Sequence, residues 1–385
     1  MKYPNEIQFI IRRLEQAGYE AYLVGGALRD LLLGREANDF DITTSATPVE
    51  MKEVFSDLRT LETGLRHGTL TVLVGAFSVE ITTFRVDGDY VDARHPSSIR
   101  FTKSLAEDLA RRDFTVNAMA YSERTGLVDL YGGREDLKQK LLRAVGDPKK
   151  RFSEDALRIL RAFRFCSKLG FEIEPVTKAA IKVCREGLSW VSAERISAEL
   201  EGILVGQGAS VALSLMEECG VLPLVLPEAV LKEGIDRLSP RFDLRLAFLL
   251  LDDKEALGAR LRAMRLSNAL ALSVTRLVTL ASDGVCAPSE PQVRRLMARS
   301  GELFEPLLEL FSAKGFDVSD VREVAARCRA RGDCLSIGEL AIGGDALVKL
   351  GKRGREIGET LAFLLERVLD EPSLNTEASL LALLR

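Results

Sequence analysis

Two carboxylates one residue apart, Asp39 and Asp41, follow closely on the stretch Gly25-Gly26-Ala27-Leu28-Arg29-Asp30. The run from Asn38 through Phe40 to Ile42, Thr43 and Thr44 reads as a β-strand, in which alternation sends Asp39 and Asp41 to the same side. Like charges so placed repel, and a sheet does not bury them without a counter-charge. A divalent cation is the natural partner, and all-oxygen ligands suit Mg²⁺. Upstream, the Gly25-Gly26 pair predicts a turn opening into a helix near Leu28. The free N–H groups and positive end of that helix favour an anion, and Arg29 adds charge. Each motif alone also fits a plain turn or a solvated strand end. Their order in one β-turn-helix-β unit predicts nucleotidyl transfer, with a phosphate cradle beside an acid pair.

Further along, Glu80 lies in the alternating run Ser78-Val79-Glu80-Ile81-Thr82-Thr83. On a strand beside the acid pair it would deprotonate an attacking hydroxyl or complete a metal shell. An exposed strand residue is the equally open reading. Metal ions held by such a cluster stabilise the attacking and leaving oxygens of an in-line displacement. The segment from Glu107 to Met119 is expected to be helical, with Arg112, Asp113 and Asn117 offering phosphate and ribose contacts.

A helix is predicted from Ser153, its N-cap, to Leu169, with Glu154 and Asp155 in the first turn. Asp155 and Arg158 share one face there, as a surface ion pair or as a paired acceptor and donor for a base edge. Adenine and cytosine both present an amino donor beside a ring-nitrogen acceptor, so one such pair accepts A and C and rejects G and U. Arg161 and Arg164 continue the stripe, and from Leu141 to Lys168 eight basic residues face three acids. That local excess suits a triphosphate and an RNA backbone, although the chain carries a formal charge of −4. A second basic run, Lys349 to Arg355, is either a solvated face or an RNA contact.

The elements that must position these groups change character along the chain. Strands are expected at 20–24, 40–44, 70–74, 78–84 and 127–130, and helices at 6–17, 28–33 and 48–55, the last with Thr47 as N-cap and Pro48 at N1. From about residue 141 amphipathic helices take over, at 153–169, 176–186, 193–205, 209–219 and on to the end. At 385 residues, several domains are expected. The 46% hydrophobic and 29% charged content is that of a soluble globular protein. Neither a signal-peptide core nor a membrane-spanning run is evident, so a cytoplasmic protein is expected. Six cysteines lack C-x-x-C pairing, and Cys166, Cys184 and Cys219 are expected to be reduced core residues. Two histidines, His67 and His95, give no material for a zinc site or a Ser-His-Asp triad.

Five ordered motifs resemble those of the bacterial class II CCA-adding enzymes, within the tRNA nucleotidyltransferase and poly(A) polymerase family. They are Gly25 to Asp30 with Asp39-Phe40-Asp41; Arg111 to Ala118; Asp129 to Leu137; Glu154-Asp155-Ala156-Leu157-Arg158; and Ala193 to Leu200. The resemblance covers about the first 200 residues strongly; the helical remainder, including Asn375, matches only in general character. It implies an α+β nucleotidyltransferase head with a mixed sheet and flanking helices, residues 1–140. An all-α neck (141–205), body (206–270) and tail (271–385) would follow. Asp39 and Asp41 would hold Mg²⁺; Glu80, the third catalytic candidate, rests on its strand pattern alone. Gly25, Gly26 and Arg29 would lie at the triphosphate, and Arg112, Asp113 and Asn117 at the nucleotide. Asp155 and Arg158 would form the base template, with Arg161 and Arg164 alongside. The 129–137 stretch would be a springy connector, and the body and tail would grip tRNA.

The implied activity is template-independent addition of C, C and A to tRNA from CTP and ATP. The 85–101 loop is long, which disfavours the CC-only type; A-only addition stays open. Polyadenylation is the weaker reading, because no basic C-terminal extension follows Arg385. A non-catalytic tRNA binder would need broken motifs, and a small-molecule nucleotidyltransferase would leave the helical remainder without a use.

Overall fold

The computed structural model describes residues 1–88, 99–227, 229–252, 255–282 and 289–384. They fall into two compact units, Met1–Ala229 and Val230–Arg385. The first is built on a mixed seven-stranded sheet in the order β3-β4-β5-β2-β1-β8-β9. Its strands are β1 (Ala21–Val24), β2 (Asp41–Thr44), β3 (Thr60–Leu61), β4 (Thr69–Val74), β5 (Phe77–Thr83), β8 (Met119–Ser122) and β9 (Gly126–Asp129). β6 (Arg85–Asp87) and β7 (Ile99–Phe101) form a separate antiparallel pair. Within the seven-stranded sheet only β2 and β5 pair in parallel, in a register that sets Asp41 beside Glu80. Helix α1 (Asn5–Gln16) lays Ile7, Ile10, Ile11 and Leu14 into the core.

Local sequence explains most of these limits. Thr47 caps α3 (Pro48–Val54) with Glu50 bonding back in a capping box, and Pro48 takes a first-turn position where its missing N–H costs nothing. Helix α2 (Gly25–Leu32) starts at Gly25, straight from β1, earlier than the expected Leu28. Gly25 has φ +70°, a conformation that a side chain would strain. The expected helix through Met119 is not formed. α4 (Leu105–Ala110) ends early, and Asp113 to Asn117 run through a turn and a short 3₁₀ helix into β8. Backbone bonds from Thr115 N to Arg143 O (2.9 Å) and Val145 N to Asp113 O (3.1 Å) hold that turn in place of helical ones.

Helix α5 (Gly133–Gln139) closes the same turn from the other side. Asp129 accepts the Gly133 and Arg134 N–H groups at 2.8 Å each, and the Thr115 hydroxyl donates to Asp136 at 2.6 Å. The expected 153–169 helix is broken. α6 (Pro148–Glu154) starts at Asp147-Pro148, where the Asp147 side chain accepts from Lys149 N, so Ser153 lies inside it and is no N-cap. Asp155 is extended, and its Oδ1 takes the Leu157 N–H at 3.1 Å, one residue before Ala156, the N-cap of α7 (Leu157–Leu169). A two-residue pair, β10 (Leu141–Leu142) with β11 (Glu172–Ile173), interrupts the otherwise helical run. α8 (Pro175–Cys184), α9 (Ala193–Leu204), α10 (Ala209–Glu218) and α11 (Leu222–Val225) complete the unit.

The second unit is helical in its described residues. Helix α12 (Phe242–Leu249) is buried at every position. Arg294 and Asp333 form a buried ion pair at 3.3 Å, and Asn375 joins two turns by accepting from Ala341 N and donating to Glu339 O. Cys166 and Cys219 are core residues as expected, whereas Cys184 is only half-buried because its end of α8 faces outward; Cys286 lies outside the described residues. None of the described helices is long and apolar enough to cross a membrane.

Gly133 shows how tightly the turn is closed, since a Cβ there would sit 2.2 Å from the Thr115 carbonyl oxygen. Gly133→Ala must push backbone apart and is expected to lower stability by about 2 kcal/mol. Chemical denaturation checks this; an unchanged midpoint would show that the contact is not tight.

Candidate active site

A cleft of about 530 Å³ within the first unit gathers most of the chemistry-bearing residues. Asp39 and Asp41 form its acidic side. Only Asp41 belongs to β2; Asp39 sits in the bend before it, because the strand begins one residue later than its composition suggests. Both nevertheless reach the cleft. Gly25 allows the close approach: a Cβ there would lie 3.3 Å from Asp41 Oδ2 and 3.7 Å from Arg112 Nη1. Burial, then the charges of Asp39 and Glu80, push the Asp41 carboxyl up to about 6, with Arg112 working against them. Such a cluster is short of positive charge, which is what a bound cation supplies. Glu80 stands exposed on the neighbouring strand and does not line the cleft. Among the described residues no three acidic, histidine or cysteine groups already converge as a metal cage.

Facing the acids is a chain of cations tied together by buried acceptors. Arg29 donates to Asn117 Oδ1 at 2.9 Å and pairs with Asp30 at 2.8 Å. Asn117 donates in turn to Asp113 Oδ1 at 3.1 Å, and Asp113 Oδ2 receives Arg161 at 2.7 Å. Burial raises the Asp113 carboxyl, but the Arg161 charge and hydrogen bonds from Asn117, Arg161 and the Phe114 N–H bring it down to about 2. Arg112 is held by Asp108, which is fully buried and also accepts Arg111 and the Thr43 hydroxyl. Burial works against the charged form of Asp108, yet the two arginines keep it below the usual carboxylate range.

At the break between α6 and α7, Asp155 and Arg158 both line the cleft; the Arg158 N–H donates to Asp155 O at 3.1 Å, but their side chains are paired with other groups. Asp155 pairs with Arg195 of α9 at 3.0 Å. Arg158, nearly buried, donates to Glu154 (2.9 Å), Arg151 O (3.1 Å) and Arg111 O (2.8 Å). Arg164 approaches Glu199 to 2.9 Å. Burial raises the Glu199 carboxyl despite Arg164 and Arg161, and lowers the Arg164 guanidinium.

Of the residues singled out from the sequence, Gly25, Gly26, Arg29, Asp39, Asp41, Arg112, Asp113, Asn117, Asp155, Arg158, Arg161 and Arg164 meet in this cleft; Glu80 stands one strand away. Arg111, Phe165, Lys168 and Arg195 also line it and were not singled out. Arg195 was within reach, being the only base in the Ala193 to Leu200 motif. Phe165 gave no signal beyond a core aromatic. Most of the 85–101 loop, including Asp89-Tyr90 and Arg94-His95-Pro96, lies outside the described residues.

A model described as the poly A polymerase head domain matches residues 21–143, and one described as the probable RNA and SrmB-binding site of polymerase A matches 170–231. A CCA-adding enzyme of Limosilactobacillus fermentum is 37% identical over 97% of this chain and 94% of its own. One from Lactobacillus delbrueckii subsp. bulgaricus is 38% identical over 96% and 95%. The crystal structure of the Bacillus stearothermophilus CCA-adding enzyme in complex with CTP superposes with a TM-score of 0.83 at 34% identity, covering 97% of this chain and 94% of that one.

The raised Asp41 value has a consequence for stability. Between about 3.8 and 6 the folded chain keeps a proton that the unfolded chain has lost, so folding weakens as pH rises through that window. Without divalent cations, Asp41→Asn is expected to melt higher than the unaltered protein above pH ~6, with the gain shrinking towards pH ~4. Added Mg²⁺ should stabilise only the unaltered chain. Equal melting temperatures at neutral pH would refute the assignment of strain to Asp41.

Proposed function

Because the chain belongs to the CCA-adding enzyme family, we propose that it adds C, C and A in turn to the 3′ end of tRNA from CTP and ATP. No nucleic-acid template is used and pyrophosphate is released. The observation that carries this reading is the meeting, in one cleft, of a strained acid pair with the Asp155–Arg158 break. The first belongs to phosphoryl chemistry and the second to base choice. Asp39 and Asp41 would hold Mg²⁺, which neutralises charge on the phosphates and activates the terminal hydroxyl of the RNA. Glu80, register-paired with Asp41, is the candidate proton acceptor for that hydroxyl.

The remaining roles follow from what each side chain has left to offer. Gly25 and Gly26 open α2 with no side chain in the way, so that its first N–H groups can meet phosphate oxygens. Arg112 reaches the cleft from its anchor on Asp108, while Asp113 and Asn117 hold Arg29 and Arg161 in place. Asp155 would accept from the amino group of C or A and Arg158 donate to the adjacent ring nitrogen; G and U leave both unpaired. Head, neck, body and tail at 1–140, 141–205, 206–270 and 271–385 serve as the working division. The helical remainder takes the tRNA by shape and backbone, and the reaction belongs in the cytoplasm.

With Mg²⁺, the protein is expected to extend tRNAs ending before CCA, after C and after CC, taking CTP for the first two and ATP for the third. Refusal of CTP with use of ATP on the CC-ended tRNA would make the activity A-only, and long A tails on unstructured RNA would make it a poly(A) polymerase. Asp39→Ala should cut transfer by more than about 100-fold while leaving the melting curve of the protein unimpaired. Asp155→Ala should chiefly erode discrimination of CTP over UTP, by about 10- to 100-fold, as expected for a lost buried hydrogen bond. Retained discrimination in that variant would remove Asp155 from base choice.

A further inference from the structure

Phe165 of α7 is 5% exposed and meets Phe114 edge-on, with ring centroids 5.8 Å apart. Three guanidinium groups surround its ring, Arg29 at 5.2 Å from the centroid, Arg161 at 5.4 Å and Arg164 at 5.5 Å. Arg29 comes from α2 beside the glycine pair, the other two from α7. Cations gathered at one point repel, and an aromatic ring is one of the few apolar groups that attracts them, through the negative charge on its face. Each arginine also has its own polar partner, Asn117 and Asp30 for Arg29, Asp113 for Arg161 and Glu199 for Arg164. Arg164 is further steered by Gly202 of α9, where a Cβ would lie only 2.4 Å from Arg164 Cδ. The stem of Arg164 thus lies where a side chain at 202 would stand.

Phe165 and the three arginines all line the cleft, where eight basic side chains face four acids. That excess calls for a polyanion. We propose that Phe165 is a positioning residue that fans Arg29, Arg161 and Arg164 to the spacing that receives the phosphate oxygens of the bound nucleotide. The inference rests on the functional reading above. Phe165 touches neither the reacting atoms nor the base in this scheme; it acts through the guanidiniums.

The test compares Phe165→Leu, which keeps an apolar side chain but has no ring face, with Phe165→Tyr, which keeps the face. In Phe165→Leu the KM for CTP and ATP and the inhibition constant of pyrophosphate should each rise about tenfold, the worth of one to two cation–ring contacts. The KM for tRNA, which reports an RNA backbone contact instead, should change less than twofold, as should CTP-over-UTP discrimination. Phe165→Tyr should restore nucleotide and pyrophosphate affinity. Unchanged pyrophosphate inhibition in Phe165→Leu overturns the inference, as does a rise confined to tRNA. Equal losses in both variants with lowered melting temperatures also overturn it, since Phe165 would then serve packing alone. If the unaltered protein binds neither CTP nor ATP, the functional reading falls and the inference with it. Wild-type binding with an indifferent Phe165→Leu removes the inference only.

Discussion

Asp113 is buried yet ionised, and the organisation of the cleft depends on keeping it so. A carboxylate out of water tends to take up a proton, and the environment of Asp113 reverses that tendency with Arg161, the Asn117 amide and its own neighbour's N–H. Those partners do not come from one place. Arg161 belongs to α7, Asn117 sits on the 3₁₀ turn after α4 and passes the connection to Arg29 of α2. One negative charge therefore ties α2, which opens at the glycine pair, to α7. Removing a partner from such a buried pair leaves an uncompensated charge, which costs about 3–5 kcal/mol. The turn that holds Asp113 is itself braced by backbone bonds to Arg143 and Val145 and by the Thr115–Asp136 contact. The acid pair and the arginines of the cleft thus share one frame.

Within that frame the two sides of the cleft are tuned in opposite senses. Asp113 and Asp108 are satisfied by arginines and lie below the usual carboxylate range. Asp41 is surrounded by Asp39 and Glu80 and is raised. The difference is not one of burial, which works against the charged form in all three, but of which charges stand beside each group. A carboxylate already neutralised by arginine has little left for a cation, whereas Asp41 retains its demand. The fold places its unsatisfied charge where a metal would be used, and accepts the loss of stability there.

The sequence was most legible where a residue's chemistry is local. Thr47 and Pro48 mark the start of α3 because a cap and a fixed φ act within one turn, and the glycine pair with the two aspartates marks the cleft because spacing alone brings them near. It was least legible where a tertiary contact overrides local propensity. The 107–119 segment has helical composition, but its backbone is recruited by residues 143–145 and becomes turn and strand. The helix expected from Ser153 is split because the extended Asp155 ends one helix and takes the first-turn Leu157 N–H of the next, and Asp147-Pro148 supplies an earlier start. Cys184 fits an apolar pattern that the outward face of α8 does not bury. Phe165 looks like any core aromatic until the arginines from two distant stretches are seen around it.

The break at Asp155 gives the proposed base choice its physical basis. In a continuous helix Asp155 and Arg158, three residues apart, would face each other and neutralise one another as a surface pair. The extended backbone at Asp155 separates them, and each is then fixed by other groups. Arg158 spends three of its five N–H donors on Glu154 and two backbone carbonyls, leaving two in a set direction. Asp155 accepts from Leu157 N and Arg195, one bond on each oxygen, so each oxygen retains a lone pair. A donor and an acceptor held apart by partners other than each other cannot collapse together when the cleft is empty. They can only be completed by an edge that carries the opposite pattern. Selectivity on these terms is built into the unliganded protein, and Glu154 and Arg195, which contact no base in this scheme, are what keep it there.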